Sequence, residues 1–220
     1  MDEKIKYTTY LAGAIEHATK KEMETWRGEF KKKLKSPDLL IYDPVAQEAS
    51  KVGKASGQQV EYITGLKRAG KWDLYYDECW KIWFGQIAKN TDLIQLLTTL
   101  RMRKYIDGNK EQDIKYWGDA EAVVRSDYII IYMPKDVKTV GTIWEEVFAM
   151  LFRIPIYLIL PDQSKTDANS TLLFGDQIAN NGGDPITFYS INECVNYIKE
   201  HHSMRFIEPE KPKEEKKDKK

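Results

Sequence analysis

Hydrophobic positions along this chain alternate between short continuous runs and helical stripes. Residues 128–133 are apolar and rich in β-branched and aromatic side chains, which predicts a central parallel strand covered on both faces. Met23, Trp26 and Phe30 share one stripe of residues 19–34, which predicts an amphipathic helix there. The two patterns indicate a protein in which strands and helices follow each other.

Further strands are predicted at residues 6–11, 39–42, 156–160 and 186–189, with helices at 112–125, 142–153 and 191–201. Strand, helix and strand within the first forty residues form a βαβ start, and the right-handed crossover makes its strands parallel. We therefore predict an α/β fold: a flavodoxin-like, doubly wound sheet of about five parallel strands, with helices on both faces. A single domain is expected over residues 1–207.

An insertion at about residues 45–110 interrupts this alternation. Residues 51–59 are rich in Gly, Ser and Lys and predict a mobile loop, whereas residues 72–100 are strongly aromatic and predict two helices. We expect this helical, aromatic-rich insertion to cap a site. Residues 208–220 form a charged, proline-containing tail that is expected to be disordered.

Charge and hydropathy exclude several classes of function. Lys plus Arg and Asp plus Glu both total 34, so no basic field attracts a nucleic-acid polymer. The apolar runs are strand-length and too short to span a membrane, and the polar N-terminus does not resemble a secretory signal. Cys79 and Cys194 form no CxxC pair. These features predict a cytoplasmic protein with reduced thiols.

The segment after the central strand carries the clearest chemical signal. Gly141 permits a ligand to approach the backbone, and the Thr142 hydroxyl with the free amides of a new helix favours an anion or a sugar hydroxyl. Glu145 and Glu146 are predicted in the first turn of that helix, at the carboxyl edge where open α/β sheets bind ligands. The alternative is that both acids only favour the positive end of the helix.

Other candidates surround this turn. Asp119 is predicted in mid-helix between small neighbours, which suits a ligand-facing carboxylate as well as a solvated one. Tyr10, Gly13 and Ala14 close the first strand, either beside a ligand or in a simple turn. Asp127 starts the central strand and is expected to have a structural role. No His, Cys or Asp spacing matches a metal site or a triad, and no dinucleotide or P-loop motif occurs, so neither metal nor cofactor is predicted.

Three motifs together resemble the nucleoside 2-deoxyribosyltransferase family. They are Tyr-Leu-Ala-Gly-Ala-Ile at residues 10–15, Asp119 with Asp127 eight residues later, and Gly141-Thr-x-x-Glu145-x-x-x-Ala149. The superfamily also holds the deoxynucleoside 5′-monophosphate N-glycosidases. The resemblance covers residues 5–44 and 112–162. It implies a flavodoxin-like fold and cleavage of the N-glycosidic bond of 2′-deoxynucleosides.

The resemblance also implies roles for individual residues. Glu145, rather than Glu146, matches the nucleophile that attacks the sugar carbon. Asp119 matches the aspartate that contacts the base and passes a proton to it. Tyr10 matches a tyrosine that orients the nucleophile. Substrate contacts are implied at Gly13, Ala14, Gly141 and Thr142.

The resemblance is incomplete in the loops. Thr139 replaces an acid that the family often has six residues before the nucleophile, and Asp136 is close enough in the sequence to substitute for it. Asn169 or Asn181 matches the asparagine that a neighbouring subunit lends to the sugar. The family assembles as homo-oligomers, so a homo-oligomer is expected, with the insertion in the interface or over the pocket.

Several functions stay open at the level of sequence. A transferase and a hydrolase differ only in whether a second base or water accepts the sugar, and the substrate is a deoxynucleoside or its 5′-monophosphate. The lysine-decarboxylase-like phosphoribohydrolases share the Gly-Thr-x-x-Glu turn, but their preceding double glycine is replaced by Lys138-Thr139-Val140. A non-catalytic nucleotide-binding module would retain Gly13, Gly141 and Thr142 without needing Glu145.

Overall fold

The centre of the molecule is a five-stranded parallel sheet. The computed structural model describes residues 5–15, 19–55, 58–135, 141–166, 168, 170–183 and 185–207. Within these ranges the strands are Tyr7–Gly13 (β1), Leu39–Tyr42 (β2), Tyr128–Tyr132 (β3), Ile156–Ile159 (β4) and Ile186–Phe188 (β5). Their order is β2-β1-β3-β4-β5, and every neighbouring pair is parallel. The predicted flavodoxin-like, doubly wound arrangement is therefore confirmed.

Helices cover both faces of the sheet. In chain order the described helices are Lys20–Lys33 (α1), Pro44–Lys51 (α2), Gln58–Arg68 (α3), Trp72–Phe84 (α4), Leu93–Asp107 (α5), Asp119–Val124 (α6), Gly141–Leu151 (α7), Ser170–Ala179 (α8) and Ile191–His201 (α9). Several begin at side-chain caps that the sequence supplies. Thr19 forms a capping box with Glu22 at the start of α1, and Ser190 caps α9.

Strand β3 is buried on both faces, as its apolar pattern predicts. Ile129 and Ile131 pack into the cluster on one face, and Tyr128 and Ile130 belong to the cluster on the other. All four side chains are fully buried, and burial of each contributes roughly 1.5–3 kcal/mol to folding. Packing on both faces therefore holds the carboxyl end of β3, beside the site, in a fixed position.

The insertion is more helical than the sequence indicates. The predicted pair of helices in residues 72–100 is confirmed by α4 and α5, although α5 continues to Asp107. The prediction of a mobile loop at residues 51–59 is wrong at both ends. Helix α2 extends to Lys51 and α3 begins at Gln58, because α2 and α3 both pack against other helices of the insertion.

The predicted continuous helix at residues 112–125 is also wrong. A 3₁₀ helix covers Glu111–Tyr116, the chain extends at Trp117 and Gly118, and α6 then begins at Asp119. The extended segment at Gly118 packs closely against the end of α4, since a Cβ on Gly118 would lie 2.5 Å from the Phe84 amide nitrogen. Asp119 therefore starts a helix and does not lie in the middle of one.

Some expectations lie outside the described residues, namely those for Asp136, Thr139, Asn169 and the tail 208–220. Among the residues that are described, no helix has the length and apolar character that crossing a membrane requires.

Candidate active site

A covered cavity lies at the carboxyl edge of the sheet, beside the ends of β1 and β3. The cavity has a volume of ≈ 190 Å³. After β1 the chain adds β2 on one side of it, and β3 with the later strands on the other side. The gap between β1 and β3 is therefore the topological switch point, where open α/β sheets bind ligands. Its sheet side is lined by Gly13, Asp119, Gly141, Thr142 and Glu145.

The insertion forms the roof of this cavity. Helix α3 contributes Val60, Ile63 and Thr64, and α4 contributes Ile82 and Trp83. The roof belongs to the same chain as the floor and is mostly apolar. A ligand in this cavity is therefore enclosed by side chains on several sides, with polar groups concentrated on the sheet side.

Glu145, which lines the cavity, forms a short hydrogen bond with Tyr10 behind it. The Tyr10 hydroxyl donates to Glu145 Oε1 at 2.5 Å, and both side chains are buried. This is the contact that the family resemblance implies. Glu145 Oε2, also buried, accepts no hydrogen bond from the described residues. One carboxyl oxygen is thus fixed by Tyr10, and the hydrogen-bonding capacity of the other is unused within the described residues.

The environment of Glu145 favours its neutral form. Burial raises the pKa of this carboxyl to about 8, and Asp119 adds to the effect. The Tyr10 hydrogen bond and the buried Arg27 guanidinium oppose it. Glu145 is the fifth residue of α7, so the prediction that the two acids lie in the first turn is wrong. Helix-end electrostatics consequently do not explain why Glu145 is there.

Glu146 points away from the cavity, although it adjoins Glu145 in the sequence. Its side chain packs against Gly175 on α8. Burial, together with the nearby Asp176, raises the pKa of Glu146 to about 8. Successive helical residues point about 100° apart, so only one of the two can face the cavity. The structure therefore distinguishes Glu145 as the candidate for chemistry.

Asp119 is held by a second tyrosine and a lysine. The Tyr42 hydroxyl donates to Asp119 Oδ1 at 2.9 Å, and the Lys51 ammonium lies 3.4 Å from the same oxygen. Lys51 also donates to the Tyr42 hydroxyl at 2.6 Å. The Tyr42 ring stacks on the Tyr10 ring with their centroids 5.2 Å apart. The stacked side chains of Tyr10 and Tyr42, both on strands of the sheet, thus each donate a hydrogen bond to one of the two carboxyl groups, Glu145 and Asp119.

Arg27 is a buried cation behind the cavity floor. Its guanidinium donates to the carbonyls of Gly13 at 3.1 Å and Met23 at 2.7 Å, and it lies 3.5 Å from Asp43. This position stabilises the ionised form of Glu145 without direct contact. Gly13 is required by packing as well, because a Cβ there would lie 2.8 Å from the Trp26 ring.

The remaining predicted residues divide into two groups. Gly141 and Thr142 line the cavity, and the backbone at Gly141 is open. Ala14 instead borders a separate depression between β1, β3 and α1, so it is not brought together with the others. Asp127 accepts from the Thr8 amide at 2.7 Å and pairs with Lys104, which confirms its structural role at the opposite edge.

Sequence reasoning missed Glu48 and Gln59, two buried polar residues that line the same cavity. A signal for Glu48 was present. Helix α2 begins at Asp43-Pro44 directly after β2, and Glu48 falls at helical spacing from Pro44 and Val45, which are buried. An acid on the apolar face of a helix at the carboxyl edge indicates a site. Within the described ranges, no group of three or more His, Cys, Asp or Glu residues is arranged to hold a metal ion.

Neither the family models nor the curated proteins or solved structures that were compared with this chain match it.

Proposed function

We propose that this protein cleaves or transfers the 2-deoxyribosyl group of deoxynucleosides at the N-glycosidic bond, through a covalent intermediate on Glu145. The observation that carries the proposal is the arrangement of Glu145. One of its oxygens accepts from Tyr10, and the other is unpartnered among the described side chains. A second carboxyl group, Asp119, lines the same enclosed cavity.

This arrangement meets the chemical demands of glycosyl transfer. A sugar carbon with oxocarbenium character needs a fixed carboxylate on one face, and the departing base needs a proton on the other side of the bond. Glu145 supplies the first group and Asp119 the second. Tyr10 holds the nucleophile in one orientation and lowers its pKa, which partly offsets the effect of burial.

The cavity favours a small ligand over a polymer. Its roof covers the carboxyl groups, and the chain has no excess of positive charge to attract a phosphate backbone. A planar base fits against the apolar roof at Ile63 and Trp83 while the sugar faces Glu145. We infer that the substrate is a deoxynucleoside or its monophosphate.

One observation favours hydrolysis of a 5′-monophosphate as the second candidate. Lys67 of α3 lines the cavity and its side chain is exposed to solvent. It offers a cation to a single phosphate at the mouth of the cavity. The same Glu145 intermediate then passes the sugar phosphate to water and not to a second base.

We further propose that the protein acts as a homo-oligomer in the cytoplasm. Ile143 and Trp144, early in the same helix as Glu145, are exposed, as is Phe174 on α8. Large exposed apolar side chains are typical of surfaces that bind another protein chain. Cys79 and Cys194 are both free thiols, as a reducing compartment requires.

The test is a panel of deoxynucleosides and deoxynucleoside monophosphates, incubated with and without a free acceptor base. Release of base without an acceptor indicates a hydrolase, and exchange of base indicates a transferase. Trapping a sugar on Glu145, detected by peptide mass spectrometry, supports the covalent intermediate. If no member of the panel loses or exchanges its base, the proposal is wrong.

A further inference from the structure

Lys51, the last residue of α2, is a buried cation beside Asp119. Its side chain is 7% exposed, and its ammonium nitrogen lies 3.4 Å from Asp119 Oδ1. The same nitrogen donates to the Tyr42 hydroxyl at 2.6 Å and to the Ile82 carbonyl of α4 at 3.2 Å. An ammonium group has three donors, so these contacts use all of them. Lys51 is therefore held in one position by β2, α4 and α6.

The Tyr42 hydroxyl connects this cation to the same carboxyl group a second time. Lys51 donates to the hydroxyl oxygen, which leaves the single O–H of Tyr42 for an acceptor. Asp119 Oδ1 lies at 2.9 Å and the Trp117 carbonyl oxygen at 3.2 Å, so Asp119 is the closer acceptor. Asp119 Oδ1 thus has Lys51 as a direct neighbour and accepts from a hydroxyl that Lys51 polarises.

The charge of Lys51 is more than a link between helices requires. Removing an ammonium group from water is unfavourable, and a neutral side chain could join α2 to α4 without that cost. The charge that compensates it is Asp119, which lines the cavity. Burial raises the pKa of Asp119, whereas Lys51 and Tyr42 lower it. Lys51 is thus positioned to stabilise a negative charge on Asp119.

We propose that Lys51 is the counter-charge that allows Asp119 to give a proton to the departing base. This inference rests on the proposed function, in which Asp119 is that acid. Once the proton has left, Asp119 carries a negative charge in a buried site. The Lys51 ammonium and the Tyr42 hydroxyl stabilise this charge through the contacts described above. Lys51 acts through Asp119, so it is a positioning residue.

The step is balanced in both directions. A Glu145 oxygen forms a bond to the sugar C1′ while the C1′–N bond breaks, and the electron pair of that bond goes to the base nitrogen. The nitrogen takes the proton of Asp119, which becomes a carboxylate beside the unchanged Lys51 ammonium. In the second half, an acceptor base or water attacks C1′ and Glu145 leaves as a carboxylate. The proton of the acceptor then returns to Asp119.

The charge of Lys51 can be removed with little change of shape. Glu48 and Glu145 also face Asp119, and their charges oppose a further negative charge there. Lys51 is the one cation in contact with Asp119 within the described ranges. Lys51→Met removes this charge, retains nearly the same side-chain length and leaves Tyr42 in place. Asp119 should consequently be a weaker acid in the variant.

The experiment compares kcat/KM for base release by full-length wild type and Lys51→Met on two substrates. One is a deoxynucleoside that the wild type turns over. The other is its analogue with an electron-withdrawing halogen on the base, which leaves more readily without a proton. We expect a loss of at least about 10-fold on the first and less than about 3-fold on the second, since an adjacent opposite charge changes a carboxyl dissociation constant by about 10- to 1000-fold.

Lys54→Met is the matched control, because Lys54 is an exposed lysine close to Lys51 in the sequence. This variant should behave like wild type on both substrates.

Each other outcome gives a definite answer. A loss on the halogenated substrate that equals or exceeds the loss on the first would mean that Lys51 only supports the fold. Unchanged rates would mean that its charge is not used, and either result overturns this inference while the proposed function stands. If Lys51→Met does not fold, Lys51→Gln is judged by the same criterion. A wild type that releases no base from any substrate refutes the proposed function itself, and this inference with it.

Discussion

The carboxyl group of Glu146 packs directly against the backbone of Gly175. A Cβ on Gly175 would lie 2.7 Å from the Glu146 carboxyl carbon, well inside the normal contact distance. This contact joins α7 to α8 and turns Glu146 away from the cavity, so that the neighbouring Glu145 faces it.

Gly175→Ala should therefore destabilise the protein by about 1–3 kcal/mol, the usual effect of overpacking a filled interior. Urea unfolding followed by circular dichroism measures this change. The double variant Gly175→Ala with Glu146→Ala should regain much of the stability lost in the single variant, since the obstructing side chain is then absent. A single variant as stable as wild type would show that Glu146 can move aside freely.

Glu145→Gln should reduce base release by several orders of magnitude, because an amide cannot form the glycosyl ester. Glu146→Gln is the matched control at the adjacent position, which faces α8 and not the cavity, and should retain most activity. Steady-state kinetics on the best substrate of the panel compares the two. Similar activity of both variants would exclude Glu145 as the nucleophile. Glu145→Gln should also remain folded at pH 8, since it removes a carboxyl group whose ionisation is hindered by burial.

Tyr10→Phe should shift the pH dependence of kcat/KM. The Tyr10 hydrogen bond lowers the pKa of Glu145, so its removal raises that pKa above about 8. Because attack requires ionised Glu145, the rise in kcat/KM with pH should move to higher pH in this variant. Tyr128→Phe is the control, since the Tyr128 hydroxyl is buried in the core without a hydrogen-bond partner among the described residues. The prediction is refuted if both variants keep the wild-type profile.

The stability of the folded chain should fall as pH rises from about 4.5 to about 8. Burial raises the pKa values of Glu145, Glu146 and Asp176 to about 8, whereas such groups ionise near pH 4 when unfolded. Between these values the folded state binds more protons than the unfolded state, so the free energy of unfolding decreases with pH. Denaturation curves at several pH values measure the slope.

Glu146→Gln supplies the control for that slope, because it removes one of the three groups. Its free energy of unfolding should depend less on pH than that of the wild type. Asp38 does not interfere, since Arg205 lowers its pKa and it titrates below this range. An equal slope in the variant would show that Glu146 ionises normally in the folded protein.

Light scattering at micromolar concentration should give the mass of a dimer or a larger assembly. Trp144→Ser should lower that mass, since it removes a large exposed apolar side chain from α7. Tyr189→Ser removes an equally exposed aromatic side chain elsewhere and should leave the mass unchanged. A monomeric wild type would refute the proposal of association.

Features of the fold that depend on local sequence patterns could be predicted from the sequence. The observed bounds of β2 and α9 are those predicted from the apolar run of the strand and the apolar stripe of the helix, and the resemblance indicated the Tyr10–Glu145 contact. The break before Asp119 could not be predicted, because it depends on how Gly118 fits the end of α4, more than thirty residues earlier. The position of the roof could not be predicted either, since the aromatic residues at 72–84 do not reveal by themselves which part of the sheet they cover.

The close fit between α4 and the start of α6 has a consequence for how a substrate enters. Gly85 and Gly118 bring the two backbones together, and a Cβ on Gly85 would lie 2.9 Å from the Gly118 amide nitrogen. The part of the roof that α4 forms is therefore mechanically attached to the segment that bears Asp119. Under the proposed function, any outward movement of α4 would carry Asp119 away from Glu145, so covering the cavity and bringing the two carboxyl groups together would be one event.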